Sequence, residues 1–342
     1  MSLTQIAIIL VFTFLLLLRI SGYSNICNRS SAFRWLVLII LIIISASRPK
    51  EMADYENYVA AFTYYGTLRF EPAFTIIRYI AQLFSCPATI GLLLFAIIAV
   101  LIKGFAIKKF KIPFIDAIII YLTYIYVAQD LVAIRSGAAA SVLLMALYYR
   151  NDNIIKSVCL FLFAIMFHFS AIFFIIIYFI SPHKLNRLLY LALIAFSYFY
   201  YIFDVQLINN IINQFYSVTT LNILTYTVNE INALNLLQLG HTFVCVVMWM
   251  RIKKLQYNNN KTLLLLKLYT IAVCLVPILA DFIQIALRSA ELFYTVELLL
   301  IPIAFKSIFS SKTLNNMSFI MYSIVMFYLV INDLAYWNPD ML

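Results

Sequence analysis

The run WLVLIILIIISAS at residues 35–47 decides the fold class of this chain. Similar runs recur along the sequence, for example LLYLALIAFSYFYYIF at residues 188–203. Neither run alternates apolar with polar residues, which is the pattern of strands in a membrane β-barrel. A helix needs roughly 20 apolar residues to cross a bilayer. The repeated runs therefore predict an all-α, polytopic bundle of membrane-spanning helices.

The composition of the whole chain supports this class. Of 342 residues, 65% are hydrophobic and 11% are charged, whereas about 25% of the residues in a soluble domain are charged. This excludes a water-soluble protein and a disordered chain. Three scattered histidines and five cysteines without a CxxC pair predict no metal site. No GxxxxGK[ST] motif, which would bind nucleotide phosphates, is present. We expect one transmembrane domain over residues 1–342, and we expect it to use no cofactor.

The basic residues predict the topology, because Lys and Arg are enriched in cytoplasmic loops. This rule also explains the net charge of +10 without a nucleic-acid partner. Seventeen of the 24 basic residues lie at six breaks between apolar runs: Arg19, Arg29, Arg34; Lys103, Lys108, Lys109, Lys111; Arg150, Lys156; Lys184, Arg187; Arg251, Lys253, Lys254, Lys261; Lys306 and Lys312. The predicted spans are 3–20, 34–47, 88–107, 113–128, 131–149, 188–203, 237–250, 262–287, 289–305 and 313–333.

Two segments do not fit this scheme as simple crossings. Residues 71–84 are predicted to form an amphipathic helix at the outer interface. Residues 155–181 must cross an even number of times if Arg150 and Lys184 lie on one side, but they are too few for two crossings of about 20 residues each. They are predicted to form a broken or re-entrant pair that turns near residues 168–170. The alternative is one long crossing. With the pair, about 11–12 crossings result, and residues 48–87 and 204–236 form outer loops.

Ionisable residues inside apolar runs mark candidate sites, because each costs about 2.5–3.5 kcal/mol to insert. Arg135 is followed by the small residues SGAAA, which leave room beside the guanidinium and let another helix approach. The alternative is an arginine that snorkels to the surface. His168 lies in AIMFHFS at residues 164–170. It suits a general base or a buried core residue.

A second polar group occurs near the C-terminal end of the chain. Spacings of three and seven residues put Asp281, Gln284, Arg288 and Glu291 on one helical face, if the helix continues through residue 288. Such a stripe is expected to face the interior of a membrane bundle. The alternative is a structural ion pair between Arg288 and Asp281 or Glu291.

The first outer loop combines charged and aromatic side chains. Arg48 and Asp54 lie close in sequence to Tyr55 and Tyr58. Tyrosines beside carboxylates suit the stacking and hydrogen bonding of sugars, although an aromatic belt at the membrane interface has the same composition. Further along, a carboxylate and an arginine share one helical face seven residues apart: Glu71 and Arg78.

The candidate residues share one chemistry. A guanidinium binds phosphate through two parallel hydrogen bonds, and a carboxylate or histidine can accept a hydroxyl proton. Nearly all of the candidates map to the outer side of the predicted topology. The sequence therefore predicts phosphate-linked chemistry at the outer membrane–water boundary.

A series of short motifs resembles the EpsG-like branch of the Wzy-type polysaccharide polymerases. The series covers most of the chain in order: Asp54-Tyr55-x-x-Tyr58, Phe70-Glu71-Pro72-x-Phe74, Ile134-Arg135-x-Gly137-Ala138-Ala139, Phe167-His168-Phe169-Ser170 and a late Arg288. Two positions depart from the family pattern. Ala53 and Ala73 stand where glycine is common, and neither difference removes a charged group.

The resemblance implies a glycosyltransferase of the bacterial inner membrane, with its active site facing the periplasm. Its substrates would be two undecaprenyl-diphosphate-linked oligosaccharides in membrane lipid, and a chain-length regulator would be a further partner. The growing chain would move to the non-reducing end of the next repeat unit. In this interpretation Arg135 and Arg288 hold the diphosphate with help from Arg78, and Glu71 or Asp54 is the base while His168 orients substrate.

The remaining candidates are assigned to substrate binding: Arg48, Tyr55, Tyr58 and Asp281. Two other functions stay open. A transporter that flips lipid-linked oligosaccharide would also need arginines in the membrane, although no pair of matched halves is visible. A ligase-type transferase would differ in its acceptor.

Overall fold

The structure, a computed structural model, describes residues 1–64, 71–205, 231–255, 260–306, 308–333 and 337. These residues form helices without a strand, so the all-α, polytopic membrane class is confirmed. Most of the predicted outer loop 204–236 lies outside the described residues, as does Phe70. The α-helices are α1 Leu3–Ile20, α2 Ser24–Arg29, α3 Ser31–Ala46, α4 Tyr55–Thr63, α5 Pro72–Ala81, α6 Pro87–Lys109, α7 Phe114–Thr123, α8 Ile134–Tyr149, α9 Ile154–Phe167, α10 Arg187–Ile202, α11 Leu236–Met250, α12 Ile252–Leu255, α13 Asn260–Ile278, α14 Ile283–Tyr294, α15 Glu297–Ala304 and α16 Lys312–Ile331.

Helix length decides which elements can cross a bilayer unaided. Within the described ranges, α1, α6, α16 and the Lys261–Ile278 part of α13 are long and apolar enough. A fifth candidate is α7 together with the π-helix Tyr126–Val132, which is bent from α7 by 72°. Several further apolar helices have only 10–17 residues. The count of about 11–12 crossings therefore stays a prediction.

The chain divides into two compact units. Unit 1 contains Met1–Ile180 and Thr295–Leu342, and unit 2 contains Ser181–Tyr294. In unit 1, α3 and α9 run toward the end at which α6 begins, because Leu38 early in α3 lies against Gly104 late in α6, and Phe167 at the end of α9 meets Phe95 early in α6. At the opposite end, Arg19 of α1 contacts Asp116 of α7 at 2.8 Å. Since α8 is about 24 Å long at 1.5 Å per residue, its first residues and its last residues lie at well-separated ends of unit 1.

Residues 154–178 form a hairpin of two short helices. α9 ends at Phe167, His168 has an extended backbone, and a 3₁₀ helix follows over Phe169–Tyr178. The chain returns beside its own start, because Ser157 Oγ lies 2.9 Å from the Tyr178 hydroxyl. The predicted turn near residue 168 is confirmed, and the alternative of one long crossing is wrong.

A second break, inside the predicted span 113–128, was not expected from the sequence. Residues 113–128 and 131–149 were predicted as two regular spans, but α7 ends at Thr123 and the buried π-helix Tyr126–Val132 follows. Distant side chains hold this break. The Tyr126 hydroxyl donates to the Leu41 carbonyl at 2.6 Å, and Arg48 Nη1 donates to the Leu131 carbonyl. Backbone groups freed by a break in a membrane helix need such partners.

Unit 2 packs α10 and α14 against α13, which also contacts α11. The predicted single spans over 262–287 and 289–305 are wrong. α13 contains Pro277 and ends at the next residue, and α14 begins at Ile283. α14 in turn ends at Tyr294, before α15 of unit 1 begins at Glu297. Proline lacks the N–H that continues a helix and clashes with the preceding turn, so Pro277 weakens the last turns of α13.

Candidate active site

Glu71 is the central residue of the candidate site. It is the N-cap residue of α5, yet its side chain makes no capping hydrogen bond, and Pro72 follows at the first helical position. The carboxylate instead contacts two residues far away in sequence. Its Oε2 lies 2.7 Å from Arg135 Nη1, and its Oε1 lies 2.9 Å from His168 Nδ1. The structure therefore brings together three candidates from separate sequence motifs: Glu71, Arg135 and His168.

Arg135 reaches this acid from the first turn of α8. Only Ala133 separates the π-helix from α8, so the end of the π-helix fixes the position of the helical turn that carries Arg135. Its side chain is 27% exposed, against 5% for that of Glu71. A guanidinium carries five N–H donors, and Arg135 is the more exposed member of this ion pair.

His168 joins the site because of the hairpin between α9 and the 3₁₀ helix. Its extended backbone separates the two helices, so its imidazole points from the turn rather than from a helix face. With Nδ1 at the Glu71 carboxylate, the carboxylate favours the tautomer that carries a proton on Nδ1. The lone pair for chemistry is then on Nε2.

An aromatic cluster of Phe62, Phe74, Phe95 and Phe167 supports the three polar residues. Phe74 stacks on Phe62 at 4.8 Å between ring centroids and lies 5.6 Å from Phe95. Phe95 meets Phe167 edge-on at 6.3 Å. Because Phe74 and Phe167 flank Glu71 and His168 in sequence, this packing fixes the backbone from which both polar side chains extend.

Arg48 and Tyr58 extend the site toward the first outer loop. The Arg135 guanidinium carbon lies 5.9 Å from the centre of the Tyr58 ring, within cation–π range. Arg48 is 4% exposed. Burial lowers the pKa of Arg48 to about 10, and the nearby Tyr58 and Tyr55 partly oppose this shift. Two arginines therefore lie close to Tyr58.

Two other predicted residues, Asp54 and Arg78, have their described contacts elsewhere. Asp54 has a left-handed backbone (φ 63°) before α4, and its Oδ1 accepts a 3.4 Å hydrogen bond from Asn57. Arg78 lies near the far end of α5 and stacks at 5.7 Å on Tyr79. Seven residues of helix separate Arg78 from Glu71 by about 10 Å.

Arg288 and Asp281 belong to unit 2. Asp281 precedes α14, so the prediction that it shares a helical face with Arg288 is wrong. Pro277 and the break after it interrupt the helix on which that prediction depended. Arg288 instead forms an ion pair with Glu291, the alternative interpretation of this segment, with 3.7 Å between Arg288 Nη1 and Glu291 Oε2. The side chain of Gln284 lies outside the described residues.

Sequence reasoning missed a buried ion pair beside this site. Lys103 was assigned to a cytoplasmic cluster, but its Nζ lies 2.7 and 2.9 Å from the two carboxylate oxygens of Asp130. Both side chains are essentially unexposed, and the Tyr121 hydroxyl also donates to Asp130. The signal was present, because Lys103 interrupts an apolar run as Arg135 does.

This ion pair explains the glycine of the Arg135-x-Gly137 motif. Lys103 Nζ also donates to the Gly137 carbonyl at 3.3 Å. A Cβ at Gly137 would lie 2.4 Å from Asp130 Oδ1 and 2.9 Å from the Gln129 carbonyl oxygen. Only glycine lets the carboxylate approach the first turn of α8, so the ion pair holds the helix that carries Arg135.

The electrostatics of the site keep Glu71 ionised. Burial alone would raise the pKa of Glu71, but the hydrogen bond with His168 and the charge of Arg135 outweigh it and lower the pKa to about 2. A carboxylate with so low a pKa is a weak proton acceptor near neutral pH. An ionised Glu71 can orient the His168 ring and stabilise positive charge on its neighbours.

Comparison with known protein families gives a match that covers most of the chain. Residues 31–340 match the EpsG family. Neither the curated proteins nor the solved structures give a significant match. Since the match covers nearly all of the chain, including Glu71, Arg135 and His168, this multi-pass membrane protein belongs to the EpsG family, which is associated with polysaccharide biosynthesis.

Proposed function

We propose that this protein is a polysaccharide polymerase of the bacterial inner membrane. It transfers a growing oligosaccharide from undecaprenyl diphosphate to the non-reducing end of another undecaprenyl-diphosphate-linked repeat unit, at the periplasmic face. The single observation that carries the proposal is the contact of one carboxylate, Glu71, with both an arginine and a histidine. This arrangement supplies a cation for a leaving diphosphate and a base for an attacking hydroxyl.

The arginines stabilise the leaving group. When the bond between the anomeric carbon and the diphosphate oxygen breaks, its electron pair stays on the diphosphate. Arg135, which is more exposed than Glu71, binds that charge, and Arg48 adds a second positive charge near Tyr58. Donors aimed at developing charge are among the largest contributions to catalysis. The roles of Arg78 in assisting and of Arg288 in holding diphosphate stay predictions.

His168 is the base in this proposal, with Glu71 as its positioning residue. The acceptor hydroxyl oxygen forms the new bond to the anomeric carbon, and its proton goes to His168 Nε2. Glu71 holds the other ring nitrogen and stabilises the imidazolium that forms, as the acid does in a catalytic triad. The low pKa of Glu71 favours this assignment over Glu71 itself as base. Tyr55, which is half-buried, is the candidate for stacking on a sugar ring, whereas Tyr58 is buried and holds Arg135 beside the substrate.

A gene deletion tests the function directly. The deletion strain is complemented with the wild type or with His168→Ala, and its surface polysaccharide is separated on a gel. We expect the wild type to restore a ladder of repeat units, and His168→Ala to leave a single unit attached. Loss of every unit from the deletion strain would point to a ligase or a flippase and would contradict the proposal. His183→Ala is the matched control, because His183 is exposed and lies in unit 2.

A further inference from the structure

A cavity of about 130 Å³ lies in unit 1, at the end opposite the candidate site. It is formed where the start of α3 meets the end of α6 and the start of α7. α6 begins beside Phe62 of the aromatic cluster, where Gly91 lies against that ring, and reaches the cavity at Gly104 and Lys108. This distance of more than three helical turns makes the cavity separate from the candidate active site.

Two cations line the cavity. They are Arg34, which is half-buried, and Lys108, which is exposed. Neither makes an ion pair or a side-chain hydrogen bond with any residue in the described part of the chain. No acid is among the residues that line the cavity, and the acid that follows it in sequence, Asp116, is bound by Arg19 at 2.8 Å. The polar side of the cavity is therefore positive and suits an anion.

The other side of the cavity is apolar and continues to the surface. Trp35 and Phe105 line it, with ring centroids 6.4 Å apart in an edge-on contact. They are 45% and 48% exposed, and Leu36 and Ile39 on the same helix are also exposed. In a membrane protein such a surface faces acyl chains, and tryptophan is enriched at the level of the headgroups. The anion that fits is one attached to a lipid chain.

We infer that this cavity binds an acidic phospholipid, with its phosphate between Arg34 and Lys108 and an acyl chain along Trp35 and Phe105. Basic pockets between transmembrane helices are known to hold acidic headgroups. The inference depends on charge and shape at this end of unit 1 and does not depend on the polymerase activity.

The test measures binding of phosphatidylglycerol to the purified full-length protein by native mass spectrometry, with phosphatidylcholine as the neutral competitor. We expect Arg34→Gln/Lys108→Gln to bind phosphatidylglycerol roughly 10- to 30-fold more weakly than the wild type, since each of the two basic residues near a lipid surface contributes a factor of roughly five. Lys109→Gln/Lys111→Gln is the matched control, because it removes the same charge from residues that do not line the cavity.

Three outcomes would overturn the inference. The control variant could lose as much affinity as the cavity variant, which would indicate general attraction to positive charge. The cavity variant could bind like the wild type. Glycerol 3-phosphate, which has no acyl chain, could compete as well as the lipid, which would indicate a site for soluble phosphate. If the double variant does not fold, Lys108→Gln is compared with Lys109→Gln, because both side chains are exposed and each variant removes one charge.

Discussion

The Glu71 carboxylate lies 2.9 Å from Nδ1 of His168, a residue 97 positions later in the chain. Because the same acid lies 2.7 Å from Arg135, its charge couples the proposed base to the proposed diphosphate ligand. This relationship makes Glu71 the residue whose substitutions are most informative about the mechanism.

Glu71→Gln keeps the size of the side chain and removes its charge. We expect polymer formation to fall by a factor on the order of 10²–10⁴, as it does when the acid of a catalytic triad becomes an amide. Polymer is measured with purified protein and a lipid-linked repeat unit. Glu71→Asp should keep more activity than Glu71→Gln, because the charge remains. Glu56→Gln, on an exposed position of α4, should behave like the wild type; equal losses in both amide variants would count against the proposed role.

The stability of the protein should depend on pH through Glu71. The pKa of Glu71 is lowered from 4.5 to about 2, so its contribution is present in full above pH 4.5 and is lost as the pH falls through 2. A shift of this size corresponds to about 3 kcal/mol. Melting temperatures measured between pH 6 and pH 3 should fall more steeply for the wild type than for Glu71→Gln. Parallel curves would show that Glu71 adds no such stabilisation.

Arg135→Lys separates positive charge from guanidinium geometry. A lysine at this position keeps one charge but cannot present two parallel donors to a phosphate. We expect Arg135→Ala to lose about 10²–10³-fold in activity and Arg135→Lys to recover only a small part of that. The readout is polymer length and yield in the complementation assay. Arg29→Ala, at an exposed position of α2, is the control, and full-length polymer from Arg135→Ala would exclude a role in diphosphate binding.

Hydropathy predicted the long apolar helices. The number of residues needed for a crossing predicted one of the breaks. The span 3–20 agrees with α1. Residues 155–181 were too short for two full crossings, and the turn at His168 follows from that limit. The meeting of Glu71, Arg135 and His168 was predicted only as a shared side of the membrane, because sequence spacing does not determine contacts between different helices.

The rest of the site depends on contacts between distant segments. The π-helix over Tyr126–Val132 is held by partners in and after α3, such as Arg48, and no local pattern indicates those partners. Lys103 lies near other lysines in sequence, so it was grouped with them, whereas its partner is 27 residues further on. Pairing of buried charges is a property of packed helices rather than of one segment.

Gly137→Ala should destabilise the protein. In an ordinary helix, Gly→Ala adds up to about 1 kcal/mol of stability, but here the new Cβ would lie 2.4 Å from the Asp130 carboxylate and 2.9 Å from a backbone carbonyl. We expect a loss of about 1–3 kcal/mol, measured as a lower melting temperature. Gly104→Ala is the matched control, because its Cβ would meet only the flexible tip of Leu38 at 2.8 Å. Equal behaviour of the two variants would show that Asp130 can move away without cost.

Lys103→Met tests whether the buried ion pair holds the fold of unit 1. Removing the ammonium leaves the Asp130 carboxylate buried with the Tyr121 hydroxyl but without a cation, and breaking a buried pair in this way costs about 3–5 kcal/mol. The double variant Lys103→Met/Asp130→Asn removes both charges, and the amide oxygen can still accept from Tyr121. We therefore expect the single variant to show a low melting temperature and poor monodispersity by size-exclusion chromatography, and the double variant to recover at least half of the loss. Lys109→Met, at an exposed position on the same helix, should match the wild type. If the double variant is as unstable as Lys103→Met, the loss comes from packing around the lysine stem, and the carboxylate is not the cause.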